Sequence, residues 1–171
     1  MIDKEMVESI NAQINAEIYS AYLYLAMAAD FADKNLAGFE NWMRIQYQEE
    51  MSHAMKFYDY LQERGGRVKL SAIDEPKDEW DNPLDAFEDA LEHERYVTSR
   101  IHDMVDLAEE KKDRATYNML QWYVDEQVEE EDNAETIVEK LKMIGNDTSA
   151  LMMYDQKMEE RVFVDETQEE E

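Results

Sequence analysis

Six polar side chains stand where an apolar helical stripe should continue: Glu17, then Glu50 with His53, then Glu94, then Gln127 with Glu130. Glu17 to Glu50 is 33 residues, Glu94 to Gln127 is also 33, and in both halves a second polar group follows three positions later. A carboxylate buried without a partner costs roughly several kcal/mol, so four of them meeting in one core would protonate or unfold the chain unless cations sat among them. Glu17, Glu50, Glu94 and Glu130 carry four negative charges when ionised, and two divalent cations would balance them. Oxygen donors with one imidazole suit iron or manganese better than thiol-seeking metals. A Glu-x-x-His unit places both groups on one helix face, one turn apart and aimed at the same ion.

Four long helices must carry these residues. The first runs from about Asp3 to Asp33, with Met6, Ile10, Ile14, Glu17, Ala21, Tyr24 and Ala28 in steps of three and four. The second, from about Ala37 to Arg64, repeats the pattern with Phe39, Met43, Gln46, Glu50, His53, Phe57 and Tyr60 and stops at Gly65-Gly66. Residues 65–83 then form a connection much longer than a tight turn, punctuated by Pro76 and Pro83 and containing the extended-looking run Arg67 to Leu70. That length suits a crossover from one end of a bundle to the other. The third helix, about Pro83 to Lys112, aligns Leu84, Phe87, Leu91, Glu94, Thr98, Ile101, Val105 and Ala108. The fourth, about Arg114 to Ile144, aligns Tyr117, Leu120, Tyr123 or Val124, Gln127, Glu130, Ala134, Ile137 and Leu141. Each spans about 40 to 45 Å at ~1.5 Å per residue. A short fifth helix from about Thr148 to Arg161 follows, then an acidic tail, 165–171, with almost nothing to bury and expected to be disordered. The expectation is one all-α domain over 1–164, a four-helix bundle over about 3–145 plus the fifth helix over about 148–161.

Composition agrees and excludes several function classes. Four Gly and two Pro in 171 residues favour long helices, and 44% hydrophobic residues supply one substantial core. Zero Cys removes disulfides, iron–sulfur clusters and Cys-ligated metals. A net charge of −26 repels nucleic-acid phosphates and anionic lipid and concentrates cations, although the same surplus also keeps a protein in solution. No nucleic-acid or membrane partner is expected. The first residues lack the basic-then-apolar pattern of a signal peptide and no stretch is apolar enough to span a bilayer, which points to the cytoplasm.

A single Glu on a long helix is ordinarily solvated, and Glu-x-x-His recurs by chance, so the weight rests on the aligned set and not on any one member. His93, between Glu92 and Glu94, and His102, beside Ile101, read as packing or surface histidines.

The chain resembles the non-haem ferritins of bacteria and archaea over nearly its whole length. The matching stretches are Gln13 to Glu17 with Tyr22-Leu23-Tyr24, Gln48 to Ala54, Glu92-His93-Glu94, and Trp122 to Glu130. The resemblance implies a ferroxidase centre in which Glu17, Glu50 and His53 hold one iron, Glu94 and Glu130 hold the other, and Glu50 bridges. Gln127 would lie beside the second iron. Carboxylates matching Glu49, Glu126 and Glu129 would form a third iron position, Tyr24 would assist electron delivery, and Trp122 is a second redox-capable aromatic. The resemblance also implies a hollow homo-oligomeric cage of about 24 subunits built from dimers. Such a cage oxidises Fe²⁺ with O₂ or H₂O₂ and stores it as ferric oxide mineral.

Gln127-x-x-Glu130 replaces the second Glu-x-x-His of bacterioferritins and rubrerythrins, which implies an asymmetric centre whose second iron is held more loosely. Met51 matches the haem-binding Met of bacterioferritins, but haem is not expected, since Met is also common packing at helix interfaces. A haem-binding bacterioferritin-like protein and a metal-free structural bundle are the alternatives.

Overall fold

The computed structural model describes residues 2–165 and Thr167; the rest of the acidic tail, expected to be disordered, lies outside the described residues. Five helices follow one another: α1 (Lys4–Asp33), α2 (Ala37–Glu63), α3 (Pro83–Glu110), α4 (Arg114–Ile144) and α5 (Thr148–Met158). No strand occurs among the described residues, and 67–70 is irregular chain.

Local chemistry sets the ends. The side chains of Asp3, Asn82, Asp113 and Asp147 accept backbone N–H groups at the starts of α1, α3, α4 and α5, and Pro83 opens α3 where its missing N–H costs nothing. Lys112 (φ 55°), Gly65 (φ 72°) and Gly145 (φ 55°) take the left-handed conformation just beyond α3, α2 and α4. Three helices are shorter at their C-terminal ends than the spacing predicts. The second ends at Glu63 instead of Arg64, the third at Glu110 instead of Lys112, and the fifth at Met158 instead of Arg161. In the fifth the cause is tertiary: Asn41 Nδ2 on α2 donates to the carbonyls of Met158 (3.3 Å) and Arg161 (3.1 Å), drawing the chain out of helical geometry.

The helix α2 has no side-chain cap of its own, because Leu36 occupies the N-cap position. Its N-terminus is capped from α5 instead, where Asp155 Oδ1 accepts Phe39 N at 3.0 Å. A Cβ on Gly38 would stand 1.6 Å from Asp155 O, so only glycine allows α5 to dock this closely.

The helix α1 packs on α2, α3 packs on α4, and α1 joins the pairs through α3. The connection between α2 and α3 runs the length of α1. Asn11 Nδ2 donates to Arg67 O (3.0 Å), Asn15 Nδ2 to Ala72 O (3.0 Å), and Lys34 Nζ to Trp80 O (2.6 Å). This is the long crossover expected from the sequence, and it makes the two pairs a bundle.

Two apolar cores result. One gathers Phe31, Phe39, Phe87 and Trp42 near α5, and the other gathers Met6, Ile10, Phe57, Ile101 and Leu120 toward the opposite end. Between them lies a layer of buried polar side chains: Glu17, Glu50, His53, Glu94, Gln127 and Glu130.

Candidate metal centre

Each residue of that layer faces inward because its helix stripe does. Glu17 is 1% exposed, Glu50 2%, His53 3%, Glu94 1%, Gln127 4% and Glu130 5%. All six positions singled out by spacing therefore meet inside the bundle, flanked by apolar side chains that exclude water.

Two groups have ligand atoms that lie within 4.8 Å of one another, and His53 belongs to both. One is Glu17, Glu50 and His53; the other is His53, Glu126 and Glu130. His53 Nδ1 is 3.7 Å from Glu50 Oε2 and Nε2 is 3.6 Å from Glu126 Oε1, so the ring stands between the two groups. Tyr123 donates its hydroxyl to the His53 carbonyl (2.7 Å) and stacks on Phe57, which fixes the turn of α2 that carries the imidazole.

Glu94 sits near enough to Glu130 for its charge to raise that carboxyl, and its own oxygens are held by neighbours. The Tyr24 hydroxyl donates to its Oε1, and Gln127 Nε2 donates to its Oε2 at 3.1 Å. Both oxygens are thus engaged, and Glu94 joins neither group.

The carboxylates implied for a third iron position are also dispersed. Glu49 pairs with Arg161 (2.6 Å), Glu126 turns to His53, and Glu129 is exposed. Among the described residues, no group of three ligand-bearing side chains includes Glu49 or Glu129. Trp122 packs edge-on to His53, with ring centroids 5.4 Å apart. His93 accepts or donates a hydrogen bond with Ser20 Oγ (2.7 Å) and His102 is exposed, so both play the packing and surface roles expected of them.

Spacing left out two glutamines as functional groups. Gln13 Nε2 donates to Glu17 Oε1 (2.8 Å) and Gln46 Nε2 donates to Glu130 Oε2 (2.6 Å), both fully buried. Gln46 stood in the second stripe and Gln13 lies one turn before Glu17, so a buried amide on the inner face was the available signal.

The electrostatics show what the layer lacks. Burial pushes the Glu50 carboxyl well above the usual carboxylate range and the charge of Glu94 pushes it further, with His53 opposing. Burial likewise raises Glu130 well above that range, again with help from Glu94, and raises Glu17 and Glu94. Burial opposes a charge on His53, yet its contacts with Glu126 and Glu50 prevail and lift it well above the ordinary imidazole value. Without cations the layer therefore favours the protonated forms of these side chains. Among the described residues, the one buried side-chain polar atom lacking a hydrogen-bond partner is Glu17 Oε2, in the same group as Glu50 and His53. A buried carboxylate oxygen without a hydrogen-bond donor, beside a second carboxylate and an imidazole, fits a cation once its proton leaves, and hard oxygen with one nitrogen fits Fe²⁺.

The ferritin-like domain family matches residues 7–144. A bacterial non-heme ferritin of Staphylococcus saprophyticus is 42% identical over 163 residues, covering 95% of this chain and 98% of the relative. The chain belongs to the ferritin family. Its Staphylococcus aureus relative, also a bacterial non-heme ferritin, is 37% identical over 97% of this chain and all of the relative. An open pore ferritin from the hyperthermophilic archaeon Archaeoglobus fulgidus has 59% identity and a TM-score of 0.94, covering 95% of this ferritin and 100% of that chain. An engineered closed form of the Archaeoglobus fulgidus protein gives 59% identity and a TM-score of 0.95 over 96% of this chain. The non-haem resemblance and the bundle read from the sequence are both shown. Iron storage is the role of this ferritin, and neither a haem-binding nor a metal-free bundle is favoured.

Proposed function

We propose that this ferritin takes up Fe²⁺ as substrate within the polar layer of each subunit and oxidises it there with O₂ or H₂O₂, before the Fe³⁺ is stored as mineral. Glu17, Glu50 and His53 hold the first ion, Glu94 and Glu130 hold the second, Glu50 bridges, and Gln127 orients what binds beside the second ion. The observation that carries this reading is the orphaned Glu17 Oε2, grouped with Glu50 and His53 in a water-excluding layer.

The chain's own residues do three things. The carboxylates and His53 surrender protons as cations enter, because ligand atoms must be deprotonated. Glu50, Glu130 and His53, all raised by their surroundings, are among the groups that release those protons. Glu94 must leave Tyr24 or Gln127 to reach an ion, so cation binding is expected to loosen the Tyr24 hydrogen bond. That places a phenol beside the reacting pair, where it can relay an electron without net change. Two Fe²⁺ give up two electrons. O₂ takes them with two protons to yield H₂O₂, or H₂O₂ takes them with two protons to yield two waters.

Glu49, Glu126 and Glu129 are assigned to onward transit, with Glu126 nearest to His53. The assembly is a homo-oligomer of about 24 subunits built from dimers. No helix of the described residues is long and apolar enough to cross a membrane. Action in the cytoplasm, without a nucleic-acid or membrane partner, and a single domain over 1–164 belong to the same reading.

The test is stopped-flow oxidation of anaerobically loaded protein mixed with air, with particle size read from the same sample. Fast oxidation that saturates near two Fe²⁺ per chain, on a particle of about 24 subunits, supports the assignment. Oxidation no faster than buffer rejects it.

A further inference from the structure

Two arginines outside the ligand set stand in matching relations to it. On one side Arg100 Nε donates to Gln13 Oε1 at 2.8 Å, and Gln13 Nε2 donates to Glu17 Oε1 at 2.8 Å. On the other side an Arg161 terminal nitrogen donates to Gln46 Oε1 at 2.8 Å, and Gln46 Nε2 donates to Glu130 Oε2 at 2.6 Å. Each guanidinium lies over an aromatic ring, Arg100 over Tyr96 at 5.7 Å and Arg161 over Trp42 at 4.4 Å. The arrangement recurs although the backbones differ. Gln13 and Glu17 share α1, whereas Gln46 on α2 reaches across to Glu130 on α4.

The chemistry of the guanidinium decides what this does. It has donors and no acceptor, so the glutamine must turn its oxygen to the arginine and its NH₂ to the carboxylate. One oxygen of each glutamate is thereby held by an N–H, which leaves the other clear of the glutamine. At Glu17 the leftover atom is Oε2, the orphan of the layer. We propose that Arg100 and Arg161 are positioning residues for cation capture, each locking a glutamine amide so that Glu17 and Glu130 present one chosen oxygen to the incoming ion. This rests on the assignment of Glu17 and Glu130 as ligands.

With the arginine removed, the amide can rotate and offer its own oxygen to the glutamate, which disfavours the ionised carboxylate that a cation needs. Arg161 differs in one respect. Its other terminal nitrogen pairs with Glu49 at 2.6 Å, so its loss also alters a carboxylate on the transit path, and Arg100 gives the cleaner test.

The experiment is titration of the metal-free, full-length assembly with Co²⁺, followed by calorimetry and by the visible bands that report Co²⁺ coordination. Thermal stability in chelator is recorded alongside. Arg100→Gln is expected to weaken the tightest Co²⁺ site by about tenfold, the lower end of what lost second-shell contacts cost, and to change its bands. Arg100→Lys, whose ammonium can still donate to Gln13 Oε1, should recover most of the affinity. Arg161→Gln should weaken the second site. Arg44→Gln, an exposed control paired with Glu40, should leave both unchanged.

If Arg100 acts through the amide, Gln13→Leu and the Gln13→Leu/Arg100→Gln pair should lose the same amount. Additive losses, wild-type affinity and bands in Arg100→Gln, or equal behaviour of the Lys and Gln variants would each overturn the proposal. Should Arg100→Gln fail to assemble, Gln13→Leu with and without Arg100→Lys applies the same test. Wild-type protein that binds no Co²⁺ would reject the ligand assignment itself, a result distinct from intact binding that ignores Arg100.

Discussion

The halves of the polar layer contributed by α1–α2 and by α3–α4 share spacing but not chemistry. The first half offers Glu17, Glu50 and His53 already gathered, with one oxygen of Glu17 unpartnered. The second half offers Glu94 with both oxygens occupied by Tyr24 and Gln127, and Glu130 held by Gln46. Gln127 stands where the first half has the carboxylate Glu50, and Glu130 stands where it has the imidazole His53. The first half gathers around an oxygen with no partner, whereas in the second Glu126 and Glu130 gather with His53 and Glu94 must leave Tyr24 or Gln127 to join them. Rearrangement lowers affinity, so the first ion is expected to bind tightly and the second more loosely. A loosely held second ion suits Fe²⁺ that passes through as substrate.

The comparison is broken most severely by removing a first-half ligand. Glu17→Ala or His53→Ala should slow fast Fe²⁺ oxidation by more than the roughly 10- to 100-fold that second-shell losses cost, with the helix content unchanged in circular dichroism. Wild-type rates in either variant would contradict the assignment.

Cation binding should also stabilise the native state. Anaerobic Fe²⁺ or Co²⁺ at about 100 times its Kd should add about 2.7 kcal/mol and raise Tm, whereas a metal-free bundle would gain nothing.

Making the halves alike sharpens the contrast. Gln127→Glu restores a carboxylate opposite Glu94, so it should tighten the second Co²⁺ site by roughly tenfold, about 1.4 kcal/mol. It should also lower the Tm of the metal-free protein, because a further buried charge then lacks a counter-ion. A second site no tighter than wild type, by calorimetry, would show that the amide is not what loosens it.

Acidity separates the loaded from the empty layer. Glu50 and Glu130 have folded-state pKa values raised above the ordinary 4.5, so their contribution to metal-free stability is fully present below 4.5 and is lost as pH rises through the folded values. His53, raised above 6.5, has the same sign: its contribution is present below 6.5 and is lost as pH rises through the folded value. Denaturant melts in chelator should therefore show metal-free protein losing stability as pH climbs above 4.5. The stabilisation added by cations should grow over the same range as protons cease to compete.

The smallest effect on chemistry comes from the far end of the bundle. Gly38→Ala drives a Cβ into the backbone of Asp155, which should cost about 1 to 3 kcal/mol by overpacking and release the cap of α2. Thermal melts should register the change, while oxidation at the distant polar layer stays near wild type.

Much of this was legible in the residues. Apolar steps of three and four placed four helices to within two residues, and the polar interruptions placed all six layer residues inside, because burial follows directly from helical period. The fifth helix was overextended because its end is set by Asn41 on α2, a contact that local propensity does not encode. The partners of Glu94 and the turn of Glu126 toward His53 depend on side-chain directions across four helices, which spacing along one helix cannot supply. Arg161 was invisible for the same reason. It reaches Gln46 and Glu49 from 115 and 112 residues away, through a segment that folds back along α2.

The inequality of the two halves can be tested by anomalous diffraction from crystals exposed anaerobically to rising Fe²⁺. A first peak should rise among Glu17, Glu50 and His53 at low concentration. A second, near Glu130, should follow only at higher concentration, with Glu94 withdrawn from Tyr24. Two peaks that rise together, or a first peak at Glu49 or Glu129, would contradict it.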